Sequence, residues 1–130
     1  MRSLSRSPEV LWASTVELES QTTPGVRFAV RRMSLGRRNE LIRRVRELAQ
    51  RAEFHAAGAG ADDKLQAAGL ALEIDAAYIR WGLTRIDGLT IDGAESTAEL
   101  LISDGPEDLA REVATAVKAQ CALSESERKN

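Results

Sequence analysis

The sequence predicts a small α+β domain, mostly α, in which an N-terminal β-hairpin is followed by a small bundle of helices. Two runs of alternating apolar and polar residues flank the Pro24-Gly25 pair. Two later segments, 34–58 and 62–81, place their apolar residues at helical spacing, and a last one does so after Pro106. Strands that come first, with helices after them, are typical of the α+β class.

The hairpin is predicted over residues 10–31. In 10–19, Val16 and Leu18 alternate with glutamates, as in a strand with one buried face. Pro-Gly at 24–25 is a turn signal, and alternation resumes immediately after it. One face of the second strand carries Val26, Phe28 and Val30, and the other carries Arg27, Ala29 and Arg31.

The first helix is predicted to begin after Ser34, whose hydroxyl can cap a free backbone N–H. Its apolar residues share an arc of about 120°; they are Leu41, Ile42, Val45, Leu48, Ala49 and Ala52. The opposite arc carries Arg43, Arg44, Arg46 and Arg51. This helix is therefore amphipathic, and it is predicted to end near Gly58.

The second helix, 62–81, is apolar on most sides. One face carries Leu65, Leu72 and Ile79, and another carries Leu70, Ile74 and Trp81. Such a helix is normally central and covered by several neighbours. Gly69 costs helix propensity, so a close neighbour is expected beside it.

The rest of the chain predicts short extended pieces, joined by Asp-Gly turns, and then two helices. Thr97 can cap the first of these helices, and Pro106 suits the start of the second. We expect a disordered leader at 1–8, one globular domain at 9–123 and a polar tail at 124–130. The leader lacks the apolar core of a signal peptide, so a cytoplasmic location is expected.

Composition argues against several functional classes. The 130 residues include one cysteine and one histidine, which argues against a disulfide framework and a histidine-centred catalytic relay. Apolar runs fall short of the roughly 20 residues that span a bilayer. Cys121 is expected to pack as a small core residue, and His55 to lie at a helix end. We expect no catalytic residue, no cofactor, no metal and no membrane partner.

The formal charge of −2 conceals two blocks of opposite sign. Residues 27–51 hold nine arginines and two glutamates, a net of +7, whereas 87–112 hold eight acids and one arginine, a net of −7. Three interpretations stay open: a solvated face with Glu40–Arg44 and Glu47–Arg51 pairs, docking of one block on the other, or a partner surface. A protein partner is favoured over nucleic acid, because the eight acids would repel phosphates.

Two tryptophans remain ambiguous at this point. Trp81 follows the second helix and precedes a glycine, so it either packs that helix against the next turns or anchors a partner. Trp12 has the same two interpretations, and packing is favoured for both tryptophans.

Two stretches of the chain carry a family resemblance. The first is VRFAVRRMSLGRRNEL (26–41), a strand leading into an arginine-rich helix; the second is YIRWGLTRIDGLTIDGAESTAELLISDGPEDLAREVATAV (78–117). Their order resembles the tail assembly chaperones of long-tailed phages and related tail-like particles. The resemblance covers residues 26 to about 120.

The resemblance implies a protein without enzymatic activity that acts in the host cytoplasm. Such a chaperone binds the tape-measure protein, assists assembly of tail tube subunits around it and is absent from the finished particle. Some members also exist as a longer frameshifted product. Residues expected to contact a partner are Arg37, Arg38, Arg43, Arg44, Arg51 and Trp81. Self-association into a homo-oligomer is a further expectation.

Two other functions are weighed against the chaperone. One is a structural connector or tail-completion subunit of a phage or tail-like particle, in which the opposite charge blocks pair head to tail between subunits. The other, less favoured, is a regulator that binds nucleic acid through its arginine-rich helix.

Overall fold

The computed structural model describes the backbone of residues 8–129 and the side chains of residues 8–121. The structure confirms the predicted α+β class, with an antiparallel β-hairpin before the helices. The predicted leader falls almost wholly outside the described residues. The strands are β1 (Thr15–Glu19), β2 (Arg27–Arg31), β3 (Leu83–Asp87), β4 (Thr90–Ile91) and β5 (Ala94–Glu95). The helices are α1 (Leu35–Ala56), α2 (Ala61–Gly82), α3 (Ala98–Asp104) and α4 (Glu107–Lys129).

The main sheet has the order β1-β2-β3, with antiparallel neighbours throughout. The predicted hairpin forms its first two strands. The extended segment after α2 supplies the third, which pairs with β2 through a register shift between Ala29 and Val30. β4 and β5 form a separate small hairpin. A strand far away in the sequence therefore completes the sheet that the hairpin begins.

β1 is shorter than the predicted strand 10–19, which is wrong over its first half. The last backbone hydrogen bond that continues the hairpin runs from the Arg32 nitrogen to the Ser14 oxygen at 2.8 Å. Since β2 ends at Arg31, residues 8–13 have no described strand to pair with. Val10 and Leu11 are consequently exposed.

The first helix begins as predicted, because the Ser34 hydroxyl accepts a hydrogen bond from the Arg37 nitrogen at 3.2 Å. Thr97 caps α3 in the same way, through the Leu100 nitrogen at 3.1 Å. At the other end of the chain, α4 continues to Lys129. The predicted polar tail, 124–130, is thus helical in backbone up to that residue, and its side chains lie outside the described set.

The core lies between the sheet and the last helix. Val26, Phe28 and Val30 project from one side of the central strand region. They belong to the same buried cluster as residues of α2, α3 and α4, chiefly Ile79, Trp81, Leu101, Leu109, Val113 and Val117. Gly82 permits close approach here, because a Cβ on it would lie 2.5 Å from Val117 Cγ1.

The outer half of the α1–α2 hairpin lies beyond this core. No residue between Val45 and Tyr78 belongs to the core cluster or packs against it. α2 is therefore not the uniformly covered central helix that its composition predicts: Leu65 is 74% exposed and Leu72 is 59% exposed. A Cβ on Gly69 would meet nothing within 4 Å, so the close neighbour expected beside it is missing.

Candidate partner-binding surfaces

An arginine stripe runs along the outer arc of α1. It consists of Arg43, Arg44, Arg46 and Arg51, which are all exposed. None of the four forms an ion pair with another described residue. The helical spacing predicts this arc, and the structure leaves its guanidinium groups exposed to solvent.

The other two predicted arginines of α1 are already engaged. Arg37 pairs with Glu40 at 3.2 Å, and Arg38 donates a hydrogen bond to the Cys121 carbonyl oxygen at 3.3 Å. The second contact joins the start of α1 to α4. Arg38 thus helps to place the helix, Arg37 is paired within it, and the stripe faces outward.

The basic block is a solvated face, as one interpretation expects, but its predicted ion pairs and its docking on the acidic block are both contradicted. Glu40 pairs with Arg37 rather than Arg44, and no Glu47–Arg51 pair forms among the described side chains. Ion pairs between 27–51 and 87–112 are also absent from this part of the chain. The charges of α1 are therefore not neutralised by the acidic block.

Nonetheless, the arginines of the basic block do not all lie on one surface. Arg27 lies on the sheet near Glu17 and Glu19, at 3.9 and 3.7 Å. Arg31 donates from Nε to the Trp81 carbonyl oxygen at 2.8 Å. Arg32 lies over the Trp12 ring, 5.5 Å from its centroid, so these three arginines serve the sheet side of the molecule.

The tip of the α1–α2 hairpin combines an exposed aromatic ring with a polar clasp. Phe54 is 74% exposed and contacts the His55 ring edge to face, with centroids 5.2 Å apart. His55 Nδ1 lies 3.0 Å from Asp63 Oδ1. The contact joins the end of α1 to the start of α2 and gives His55 a structural role at the predicted helix end.

The tryptophans have opposite environments. Trp81 is 2% exposed and belongs to the core cluster, so its prediction as a partner-contacting residue is wrong and its packing role is correct. Trp12 is 65% exposed, so the packing role favoured for it is wrong. The burial of Trp81 follows from its place at the junction of α2 and β3, whereas Trp12 precedes the first paired residue of β1.

A second exposed surface, which we call the α2 stripe, lies on the side of α2 opposite the buried Leu70. Its residues fall within an arc of about 100°; they are Ala61, Leu65, Ala68, Gly69, Leu72 and Ala76. All but Ala76 are exposed. Sequence reasoning singled out Leu65, Gly69 and Leu72 but assigned them to the interior, because periodicity cannot tell which of two apolar faces has a neighbour.

The α2 stripe ends in a groove of about 360 Å³ between α2, α3 and α4. Its walls include Leu72, Ile79 and Leu101. Ion pairs stand beside it, Arg111–Glu107 at 2.5 Å and Lys118–Asp75 at 2.6 Å. A larger depression of about 590 Å³ follows β3 and the residues up to Thr90, with Glu95–Ala98 on its other side.

The acidic block is divided between structural and unpaired groups. Asp87, Glu99 and Glu107 form ion pairs with arginines. Four acids have no ion-pair partner among the described residues; they are Asp92, Glu95, Asp104 and Asp108. Asp92 adopts a left-handed conformation with φ of 50°, as its predicted turn role requires.

Glu112 joins the β1–β2 turn to α4. Its carboxylate accepts hydrogen bonds from the Ser20 hydroxyl at 2.6 Å, the Gln21 nitrogen at 2.6 Å and the Thr22 hydroxyl at 2.9 Å. Desolvation acts to raise the pKa of Glu112, but these hydrogen bonds outweigh it and lower the pKa overall. The carboxylate is thus held ionised at neutral pH.

The outer face of the sheet carries a continuous ionic network. Arg85 bonds to Asp87 at 2.7 Å and reaches Glu17 at 2.9 Å, and Glu17 also lies near Arg27. The hydrogen bond to Asp87, followed by the charge of Glu17, raises the pKa of Arg85. The charged side chains on this face therefore pair with one another.

The described residues contain no group of three or more His, Cys, Asp and Glu side chains placed to hold a metal ion. In the same part of the chain, no helix has the length and apolar character needed to cross a bilayer. Comparisons of the chain with protein-family models, with curated proteins and with solved structures gave no match.

Proposed function

We propose that this chain is a tail assembly chaperone, a non-enzymatic module that binds a tape-measure protein and assists tail tube assembly in the host cytoplasm. The observation that carries the proposal is the exposed arginine stripe on the α1–α2 hairpin, which has no ion-pair partner among the described residues. The sequence resemblance over 26–120 supplies the identity of the partner, and the hairpin supplies a surface that suits it.

The arginine stripe suits an acidic amphipathic helix. Arginine forms bidentate contacts with carboxylates, and Phe54 adds an exposed apolar contact near the end of the same helix. A partner helix that lies along α1 would match this combination of charge and apolar area. A long helical tape-measure protein offers many such segments to a small chaperone.

Co-expression with a tape-measure protein tests the proposal. Arg43→Glu with Arg44→Glu should weaken co-purification by about tenfold or more, because both changes place negative charge in the stripe. The matched control is Arg27→Glu with Arg111→Glu, which changes the net charge equally at exposed sites away from α1. Equal solubility of the tape-measure protein with and without this chain would contradict the chaperone function.

A structural connector or tail-completion subunit is the second candidate. The four unpaired acids favour it, since they and the arginine stripe are both available for contacts between subunits. Detection of the chain in purified particles would support this function and count against a chaperone that leaves before completion.

A further inference from the structure

We infer that the outer edge of β3 binds an extended basic segment of a partner protein, which adds a strand to the main sheet. The site lies on a different part of the molecule from the arginine stripe and does not depend on the proposed function. β3 is the last strand in the order β1-β2-β3, so one of its two edges has no strand beside it in the described part of the chain.

The hydrogen bonds of the sheet determine which backbone groups lie on that edge. The Ser20 nitrogen donates to the Val26 oxygen at 2.9 Å, which shows that the backbone groups of Val26 point toward β1. Along a strand between two neighbours, successive residues point alternately to one neighbour and to the other. Arg27 and Ala29 therefore direct their backbone N–H and C=O groups toward β3.

Ile86 presents its backbone to the outer edge. The register partners of Arg27 and Ala29 are Asp87 and Arg85, which point back toward β2. Ile86 lies between those two residues, so its N–H and C=O point the other way. Neither group has a backbone hydrogen-bond partner among the described residues. A free donor and a free acceptor on one residue are what an added antiparallel strand satisfies, because paired residues exchange two hydrogen bonds.

The depression of about 590 Å³ beside β3 provides room for such a strand. Its lining includes every residue from 83 to 90. Because successive side chains of a strand point to opposite faces, a depression that touches all of these residues follows the edge rather than one face. Residues 95–98 form its other wall, so a segment paired with β3 would also contact side chains there.

The charges around the depression select a basic segment. Arg85 and Asp87 line it, but they pair with each other at 2.7 Å. Glu95 also lines it, is exposed and has no ion-pair partner among the described residues. The charge left without a partner at this site is therefore negative, and a lysine or arginine of the added strand would neutralise it.

The burial of Ile86 sets the pattern of the bound segment. Residues that lie directly opposite each other in paired strands share a face, and Ile86 belongs to the buried cluster. The residue that pairs with Ile86 is therefore expected to be apolar. Its neighbours along the segment point to the exposed face and carry the basic groups. A segment in which basic and apolar residues alternate is the partner that this edge fits.

NMR titration of the isotope-labelled chain with the capped peptide Lys-Val-Lys-Val-Lys tests the site. We expect amide shift changes to concentrate at residues 83–90 and 95–98, and exchange of the Ile86 amide with solvent to slow. The absence of shift changes at millimolar peptide would overturn the inference. Changes confined to β1, which has the other outer edge of the sheet, would also overturn it.

Backbone methylation of the peptide separates strand pairing from charge attraction and leaves the protein unaltered. N-methylation of both valines removes the N–H groups that face β3 and should abolish binding. N-methylation of the central lysine, whose N–H points to the opposite edge, is the matched control and should leave most of the affinity. Equal affinities of the two methylated peptides would rule out strand addition.

A charge reversal tests the selection of a basic partner. Glu95→Lys should weaken binding of the lysine peptide by about three- to tenfold at low salt, and strengthen binding of Glu-Val-Glu-Val-Glu. Asp104→Lys is the control, because it changes the charge equally at an exposed acid outside the depression. Equal affinity of the native chain for the two peptides would contradict the basic specificity.

The state of the native chain without peptide distinguishes a partner from a second copy of this chain. Sedimentation should show a monomer, and the Ile86 amide should gain its protection only when peptide is added. A dimer in which the Ile86 amide is already protected would mean that the edge pairs with another copy, and would overturn the assignment to a partner.

Discussion

Two glycines of α2 show how one residue type meets opposite requirements on one helix. Gly82 lies at the contact with α4, where Val117 occupies the space that a side chain would need. Gly69 faces open space in the middle of the helix. Propensity alone treats both as costs, and only the packing shows which one the fold depends on.

Gly82→Ala should lower the free energy of unfolding by about 1–3 kcal/mol, because the added methyl group collides with Val117. Gly69→Ala is the matched control and should raise it by up to about 1 kcal/mol through helix propensity. Urea denaturation at low protein concentration measures both changes without a contribution from self-association. Equal effects of the two substitutions would contradict the close contact at Gly82.

The two tryptophans provide a second pair with opposite expectations. Trp81→Ala empties a core site and should cost about 3–5 kcal/mol of stability. Trp12→Ala removes an exposed ring and its contact with the Arg32 guanidinium, so it should cost less than about 1 kcal/mol. Thermal denaturation distinguishes these outcomes, and a large loss for Trp12→Ala would show that the N-terminal segment contributes to the core.

At the scale of elements, Glu112 connects the hairpin turn to a helix far away in the sequence. Three donors from residues 20–22 converge on its carboxylate. The turn conformation is therefore fixed by α4 as well as by Pro24 and Gly25. Sequence reasoning assigned Glu112 only to the acidic block, because the turn and the helix are brought together by the folded sheet.

This contact predicts a dependence of stability on pH. Since the pKa of Glu112 lies below its ordinary value of 4.5, its contribution is complete above about that pH and is lost as the pH falls through the folded-state pKa. Glu112→Gln should cost about 1–2 kcal/mol at pH 7. Denaturation at several pH values should show the difference from the native chain shrinking in acid; a constant difference would contradict the assignment.

Local signals were sufficient for most elements. Ser34, Thr97, the Pro24-Gly25 turn and the apolar periodicities act over a few residues, and they predicted the first hairpin and the long helices. The joining of β3 to β2 could not be predicted, because pairing across more than 50 residues leaves no local pattern. The arginine stripe was predictable from helical spacing, whereas the exposure of the α2 stripe depends on which neighbours the fold supplies.

At the scale of the whole molecule, the main buried cluster occupies one part of the chain and leaves another outside it. β2, β3 and α4 share the buried cluster, whereas the outer half of the α1–α2 hairpin contributes nothing to it. Local opening is expected to be easiest where few apolar contacts are buried. Arg46 and Arg51 thus lie on the less firmly held zone, whereas Arg43 and Arg44 lie between Leu41 and Val45, which contact the core cluster.

Native-state amide hydrogen exchange should reveal these zones. Amides of α1 and α2 near the 57–60 loop should exchange through local opening, at free energies several kcal/mol below those of β2 and of α4 around Val113. A partner on the hairpin should slow exchange there and leave the core amides nearly unchanged. Uniform protection of the free monomer would contradict the division.

The ionic network on the outer face of the sheet has a consequence for the evolution of this chain. Glu17 and Arg85 are the register neighbours of Ala29 on its two sides, and they meet across it at 2.9 Å. Ala29 is 1% exposed although it points away from the main core. Only a small residue fits beneath that bridge. Homologous sequences should therefore vary positions 17, 29 and 85 together: a bulky residue at 29 should accompany loss of the charged pair.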